Sequence, residues 1–118
     1  METDYGCAMS QNVPLDELEA VSTSYGDAAY AVVNSTVGAP RVTHVRIRFV
    51  SESIEIVLGR GAATAVRSNP SMSLVWPATD NQSMRLFVVG LAEALEEPAP
   101  ETVVRVRVTG AVRHRPAP

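Results

Sequence analysis

The chain contains no lysine: all ten of its basic residues are arginine. Any anion held here by side-chain charge is therefore held by the planar guanidinium fork, which suits phosphate and carboxylate. Cysteine is almost as scarce. Cys7 stands alone, which excludes an internal disulfide, leaves stability to packing, and fits a reducing cytosol. With His44 and His114 far apart, one thiol and two imidazoles give no ligand spacing, so no metal site is expected. No apolar run reaches the roughly 18 residues of a membrane span, and the acidic start METDYGCAMSQNVPLDE is unlike a signal peptide. The Gly-Lys-Ser/Thr ending of a phosphate-binding loop and the Gly-x-Ser-x-Gly elbow are both missing. A net charge of −3 and an isoelectric point near 5.3 argue against a nucleic-acid partner, which usually meets a basic face. These absences predict a cytoplasmic protein with no membrane or nucleic-acid partner.

What is present reads as one globular domain over residues 1–118, 46% hydrophobic and 19% charged. Six acids and no base fall within residues 1–40, and the first cation is Arg41. Residues 1–12 are polar and small and are expected to be loose. A short helix over 14–23 follows from Pro14, the acids Asp16, Glu17 and Glu19 at the positive end of its dipole, and Leu15, Leu18 and Val21 at helical spacing. Tyr25-Gly26-Asp27 ends it.

Strands come next. AAYAVVNS (28–35) is apolar, TVGAP is a turn signal, and RVTHVRIRFV (41–50) alternates strictly. Val45, Ile47 and Phe49 take one face; His44, Arg46 and Arg48 take the other. After SES comes IEIVL (54–58), then a Gly59–Gly61 loop and an Ala-rich helix that must stop near Asn69, because the residue before Pro70 disfavours helix. SMSLVW (71–76), MRLFVVGLAEAL (84–95) and TVVRVRVTGAVRH (102–114) complete the set, with PATDNQS a loop and Gly90 a candidate bulge. The fold class expected is mainly β: a six-stranded antiparallel split barrel with two short helices.

Among possible sites, GRGAAT (59–64) carries the most chemistry. Glycines let backbone amides approach an anion, a helix start supplies free N–H groups, and Arg60 adds charge. His44, Arg46 and Arg48 form a cationic stripe on one strand face. Trp76 is either core packing or a wall for a planar ring. No side chain stands out as a catalytic acid or base.

The ordered series Gly38-Ala39-Pro40, GRGAATAVRSNPSMSLVW and LFVVGLAEAL resembles the pyridoxamine 5′-phosphate oxidase-like family, the flavin-binding split β-barrels, over roughly residues 28–95. The resemblance implies a homodimer that binds flavin mononucleotide (FMN) between its subunits, or a deazaflavin coenzyme as in some bacterial relatives. It implies an oxidoreductase acting on a small organic substrate. By position it gives Arg48 the place of a strand-two cation on the phosphate. Arg60 and Gly61 take the place of the loop before the helix, Thr64 lies one turn in, and Arg85 stands near a residue approaching the ring. The chain departs from the family at Ala62, where lysine is frequent, and at Thr43, where arginine is frequent. Arg46 and Arg60 are the nearby substitutes. Without the C-terminal segment of true pyridoxamine phosphate oxidases, vitamin B6 oxidation is not expected, and a short bacterial branch is. The alternative is a dimeric barrel that has lost its cofactor and serves as a binding module.

Overall fold

The structure is a computed structural model that describes residues 10–78 and 84–115. The elements, in chain order, are β1 (Ser10–Asn12), a 3-10 turn (Leu15–Glu17), α1 (Leu18–Thr23), β2 (Ala28–Val33), β3 (Arg41–Arg46), β4 (Arg48–Val50), β5 (Ser53–Leu58), α2 (Arg60–Ser68), β6 (Ser71–Trp76), β7 (Arg85–Ala94) and β8 (Thr102–His114). The first helix ends where Ser22, Thr23 and Ser24 turn their hydroxyls back onto the carbonyls of Glu19 and Val21. Such bonds compete with the helical ladder, and Gly26 at φ 101° then takes the left-handed conformation that L side chains avoid. α2 stops as expected: Asn69, before Pro70, is extended at φ −143°, ψ 102°.

The strands form one curled antiparallel sheet along the path β3-β2-β6-β7-β8-β5-β4. Its two end strands, β3 and β4, are separated in sequence only by Ile47. One continuous segment thus pairs with β2 through Arg41–Arg46 and with β5 through Arg48–Val50, which brings the two ends of the sheet together. Here the structure corrects the six-strand expectation. The path has seven strands, because the segment 41–50 changes partner at Ile47, and β1 adds to β8 with Ser10 opposite His114. Side-chain alternation runs unbroken through Ile47 because it reports faces, not hydrogen-bond partners. β1 likewise removes Ser10–Asn12 from the stretch expected to be loose; residues 1–9, and with them Cys7, lie outside the described residues, as does most of the PATDNQS loop.

The inward face of the sheet is apolar apart from the buried Thr102. Ile54, Leu74, Trp76, Leu86, Val88, Val104 and Val106 are fully buried, and each is worth roughly 1.5–3 kcal/mol of burial if fully removed from water. α2 covers one end of this core with Ala62, Ala63 and Val66. α1 contributes Leu18. The register shift in β7 falls between Val89 and Gly90, and a Cβ at position 90 would stand 2.6 Å from the Arg107 carbonyl oxygen. The bulge therefore needs glycine, because β8 passes too close for any side chain.

No helix of the described residues is long and apolar enough to cross a membrane.

Candidate functional site

The N-terminus of α2 is a cationic corner. Gly59 precedes the helix in extended conformation and provides no side-chain cap, and the first turn carries no acid. The Ala63 N–H donates to the Gly59 carbonyl at 2.9 Å; the N–H groups of Arg60, Gly61 and Ala62, at positions N1–N3, have no helical acceptor. Beside them lies a guanidinium that the sequence did not single out for this place. Arg41, at the start of β3, packs on Gly61 so closely that a Cβ there would stand 2.9 Å from Nη1 and 3.1 Å from Cζ. Glycine at 61 is what lets the Arg41 fork lie flat against the helix start. The seam explains the meeting: continuing the Arg48–Glu55 register through Ile47 would set Arg41 opposite Ala62. Among the described residues no carboxylate lies within ion-pair distance of Arg41 or Arg60.

Arg48 is not brought to this corner. It stands opposite Glu55, three residues before the end of β5 at Leu58, which is ~10 Å of strand at ~3.3 Å per residue, with the turn at Gly59 still to come before Arg60. The guanidinium set against the start of α2 is that of Arg41, not Arg48. Thr64 is exposed, and its hydroxyl donates to the Arg60 carbonyl at 2.8 Å, within its own helix. Ala62 belongs to the buried cluster at 9% exposure, so a lysine at this position would have to leave the core to reach an anion.

The cationic stripe on β3 and β4 is compensated. Arg46 Nη1 sits 2.8 Å from Asp27 Oδ2, with both side chains more than 70% exposed. Glu55, whose side chain is only 14% exposed, lies between Arg48 at 3.4 Å and Arg105 at 3.0 Å. The registers extend this into a row across four strands, Arg48, Glu55, Arg105 and Glu93, alternating in sign. Opposite charges directly across a sheet are mutually favourable. Arg46 and Arg48 also line a groove of about 380 Å³ at the partner switch, with Asp27, Ile47, Glu55, Ile56, Val57 and Val103. His44 stacks on Tyr30 with ring centroids 4.6 Å apart.

Two further candidates lie elsewhere. Arg85, at the start of β7, pairs in register with His114, the last residue of β8, whereas the α2 corner adjoins Leu58, paired with the first residue of β8. The two places are at opposite ends of that long strand. Trp76 is fully buried, and its Nε1–H donates to the Gly26 carbonyl at 3.1 Å. It presents no face to a ligand, so the packing reading replaces the ring-wall reading. No group of three or more potential metal ligands comes together among the described residues.

No family model matches the chain, and no curated protein matches its sequence. Solved structures do match. A Clostridium acetobutylicum protein related to general stress protein 26 of B. subtilis, of the pyridoxinephosphate oxidase family, superposes with a TM-score of 0.67 at 10% identity, over 87% of this chain and 91% of its own. A FAD-binding protein from Mesorhizobium loti gives 0.66 at 13% identity, over 92% and 98%. HutZ, a heme storage protein from Vibrio cholerae, gives 0.65 at 12% identity, over 86% and 96%. The fold is that of the pyridoxamine 5′-phosphate oxidase-like proteins. At such identities the likeness extends to the fold alone.

Proposed function

We propose that this chain is a cytoplasmic oxidoreductase that works as a homodimer. It would hold a flavin-type coenzyme, FMN or a deazaflavin, and act on a small organic substrate. The observation that carries this reading is the α2 corner. In a fold of this kind, Arg41 lies against the bare backbone of Gly61 at an acid-free helix start that begins with Arg60, and neither arginine has a carboxylate partner among the described residues. The donor set fits a phosphate monoester: two guanidinium forks, open amides and the positive end of a helix dipole.

A bound flavin would supply hydride or electron transfer; the protein's share is binding and orientation. Arg41 and Arg60 would grip the phosphate, and Gly61 would allow it to approach the backbone. Arg85 would contribute only from the second subunit, since it lies at the far end of β8 in its own.

Support for the dimer comes from the outer face of the sheet. Tyr30, Val42, Val89 and Leu91 are exposed there, at 40%, 64%, 48% and 37%. The registers link them through Val32, Ser73, Val75 and Phe87 into one surface on β3, β2, β6 and β7. A contiguous apolar face of this kind on a soluble protein usually marks an interaction site.

The binding-module alternative keeps one specific observation in its favour: Arg46 and Arg48 already hold carboxylates, and the family's frequent lysine is a buried alanine. The absorption spectrum of the purified protein, alone and after adding FMN, a deazaflavin or heme, separates the readings. Uptake of FMN or deazaflavin by a sedimenting dimer at micromolar concentration is expected. A colourless monomer that takes up neither would refute the coenzyme and dimer readings together. Uptake of heme alone would move the chain to the company of the heme storage protein.

A further inference from the structure

We propose that the cavity between the 3-10 turn before α1 and the β4–β5 turn binds a small organic amine, with its ammonium on Asp16, Glu19 and Glu52 and its apolar body on Leu18 and Phe49. The cavity is a place other than the α2 corner, and its lining does not depend on a coenzyme being bound.

Its volume is about 690 Å³, and it opens where the wall of the sheet is interrupted. β8, at 13 residues, is longer than its neighbours on this side can cover. β5 pairs with it from Thr102 to Val106 and β1 from Val112 to His114, and the Val13 N–H donates to the Ala111 carbonyl. Between these partners Arg107 and Val108 border the cavity. The Arg107 carbonyl turns toward β7, since a Cβ on Gly90 would stand 2.6 Å from its oxygen. Main-chain groups alternate sides along an antiparallel strand. Those of Val108 therefore turn into the gap, where no ladder partner stands among the described residues. Phe49 leaves its segment on the face opposite Arg48, so the cavity does not share the face of the Arg46–Arg48 groove.

Apart from the Arg107 guanidinium, the polar lining is a set of acceptors. Asp16 and Glu19 bring carboxylates from the helix start and Glu52 brings one from the β4–β5 turn, with the hydroxyls of Ser51 and Ser53 beside them. Three carboxylates against one guanidinium leave two negative charges in excess, and none of the three pairs with Arg107. Asp16 and Glu19 also suit the positive end of the α1 dipole. Glu52 comes from another element, and the dipole gives no reason for its place. The three are not gathered closely enough to hold a metal ion, so the spacing suits a larger cation. An ammonium offers three donors and no acceptor, which matches the set. Leu18 is buried and Phe49 is half-buried against the core, and together they give an apolar body a floor. A neutral ligand would leave the surplus charge unmet, and a bare inorganic cation would leave that floor in water. An amine with an apolar body answers both.

The test uses coenzyme-free protein at low salt, read by amide shifts in NMR. Phenethylamine is the probe, 2-phenylethanol its neutral counterpart, and methylammonium the charge without the body. Phenethylamine is expected to shift the amides of Leu18, Ser53 and Val108, with each comparison compound binding at least about 5-fold more weakly. Glu52→Gln should weaken phenethylamine by about 3–5-fold, as loss of an exposed charge contact does. Glu17→Gln removes the same charge from the helix start but outside the cavity, and should leave binding nearly unchanged. Arg107→Gln should tighten it by about 3–5-fold, because a like charge leaves the lining. Carboxylates placed only for the helix dipole give no reason for that tightening. All three positions are exposed, so the variants should fold as the parent does. The proposal fails if 2-phenylethanol or methylammonium shifts the same amides as strongly, if Glu17→Gln weakens binding as much as Glu52→Gln, or if Arg107→Gln weakens it. Because no flavin is present, failure here leaves the coenzyme reading standing, and failure of FMN to bind leaves this one standing.

Discussion

With alanine in place of Arg41 or Arg60, FMN affinity is expected to fall by at least about 10-fold for either change. Each residue would make a charge-assisted hydrogen bond to phosphate, worth on the order of 1.5–3 kcal/mol, and 1.4 kcal/mol is a factor of ten. The double variant should lose about 100-fold or more if the two act independently, and less if one arginine covers for the other. Arg67→Ala is the matched control. It removes the same charge from the same helix, but from the last turn, where Arg67 holds Glu97 at 3.0 Å. Equilibrium titration followed by flavin fluorescence measures the four variants against the parent. Arg41 is the discriminating position, since it is set against Gly61 by the closing of the sheet. Should Arg41→Ala bind like the parent while Arg60→Ala does not, the corner has one cation and not two.

The largest expected effect on stability belongs to Trp76. Its side chain is fully buried at the end of β6, and truncation of a buried tryptophan to alanine costs about 3–5 kcal/mol. That is a large share of the 5–15 kcal/mol of a typical domain. Trp76→Phe should be much milder, about 1–3 kcal/mol, chiefly because the Gly26 carbonyl loses the Nε1–H donor it has at 3.1 Å. Urea unfolding should show the midpoint falling with little change in slope. The phenylalanine variant also decides between core and ligand wall. Once folded it should bind FMN as the parent does; unchanged stability with lost flavin binding would return Trp76 to the site.

Much of this fold is written in local pattern. Val45, Ile47 and the alternate valines of β8 announce their buried face by period two. Asn69-Pro70 announces the end of α2, and Gly90 the bulge. What local pattern does not carry is which strand lies beside which. The change of partner at Ile47 leaves no mark on the alternation, so one strand was expected where there are two. That same change decides the site. Arg41 meets Gly61 twenty positions away only because the sheet closes there, and Glu55 meets Arg105 across fifty positions because β5 lies beside β8. A row of arginines on one face therefore reads as cationic in the sequence and as paired in the structure. β1 was missed for a simpler reason: Ser10-Gln11-Asn12 has no apolar alternation, and pairing with the end of β8 is all that makes it a strand.

The measurement closest to the central claim is a paired titration with FMN and riboflavin, which share the ring system and differ by the phosphate. If Arg41, Arg60 and the start of α2 hold that phosphate, FMN binds at least about 10-fold more tightly than riboflavin. The gap should narrow as salt screens the partly exposed charges. Equal affinity for the two, at any salt concentration, would contradict the account and leave Gly59–Thr64 as a turn between a strand and a helix.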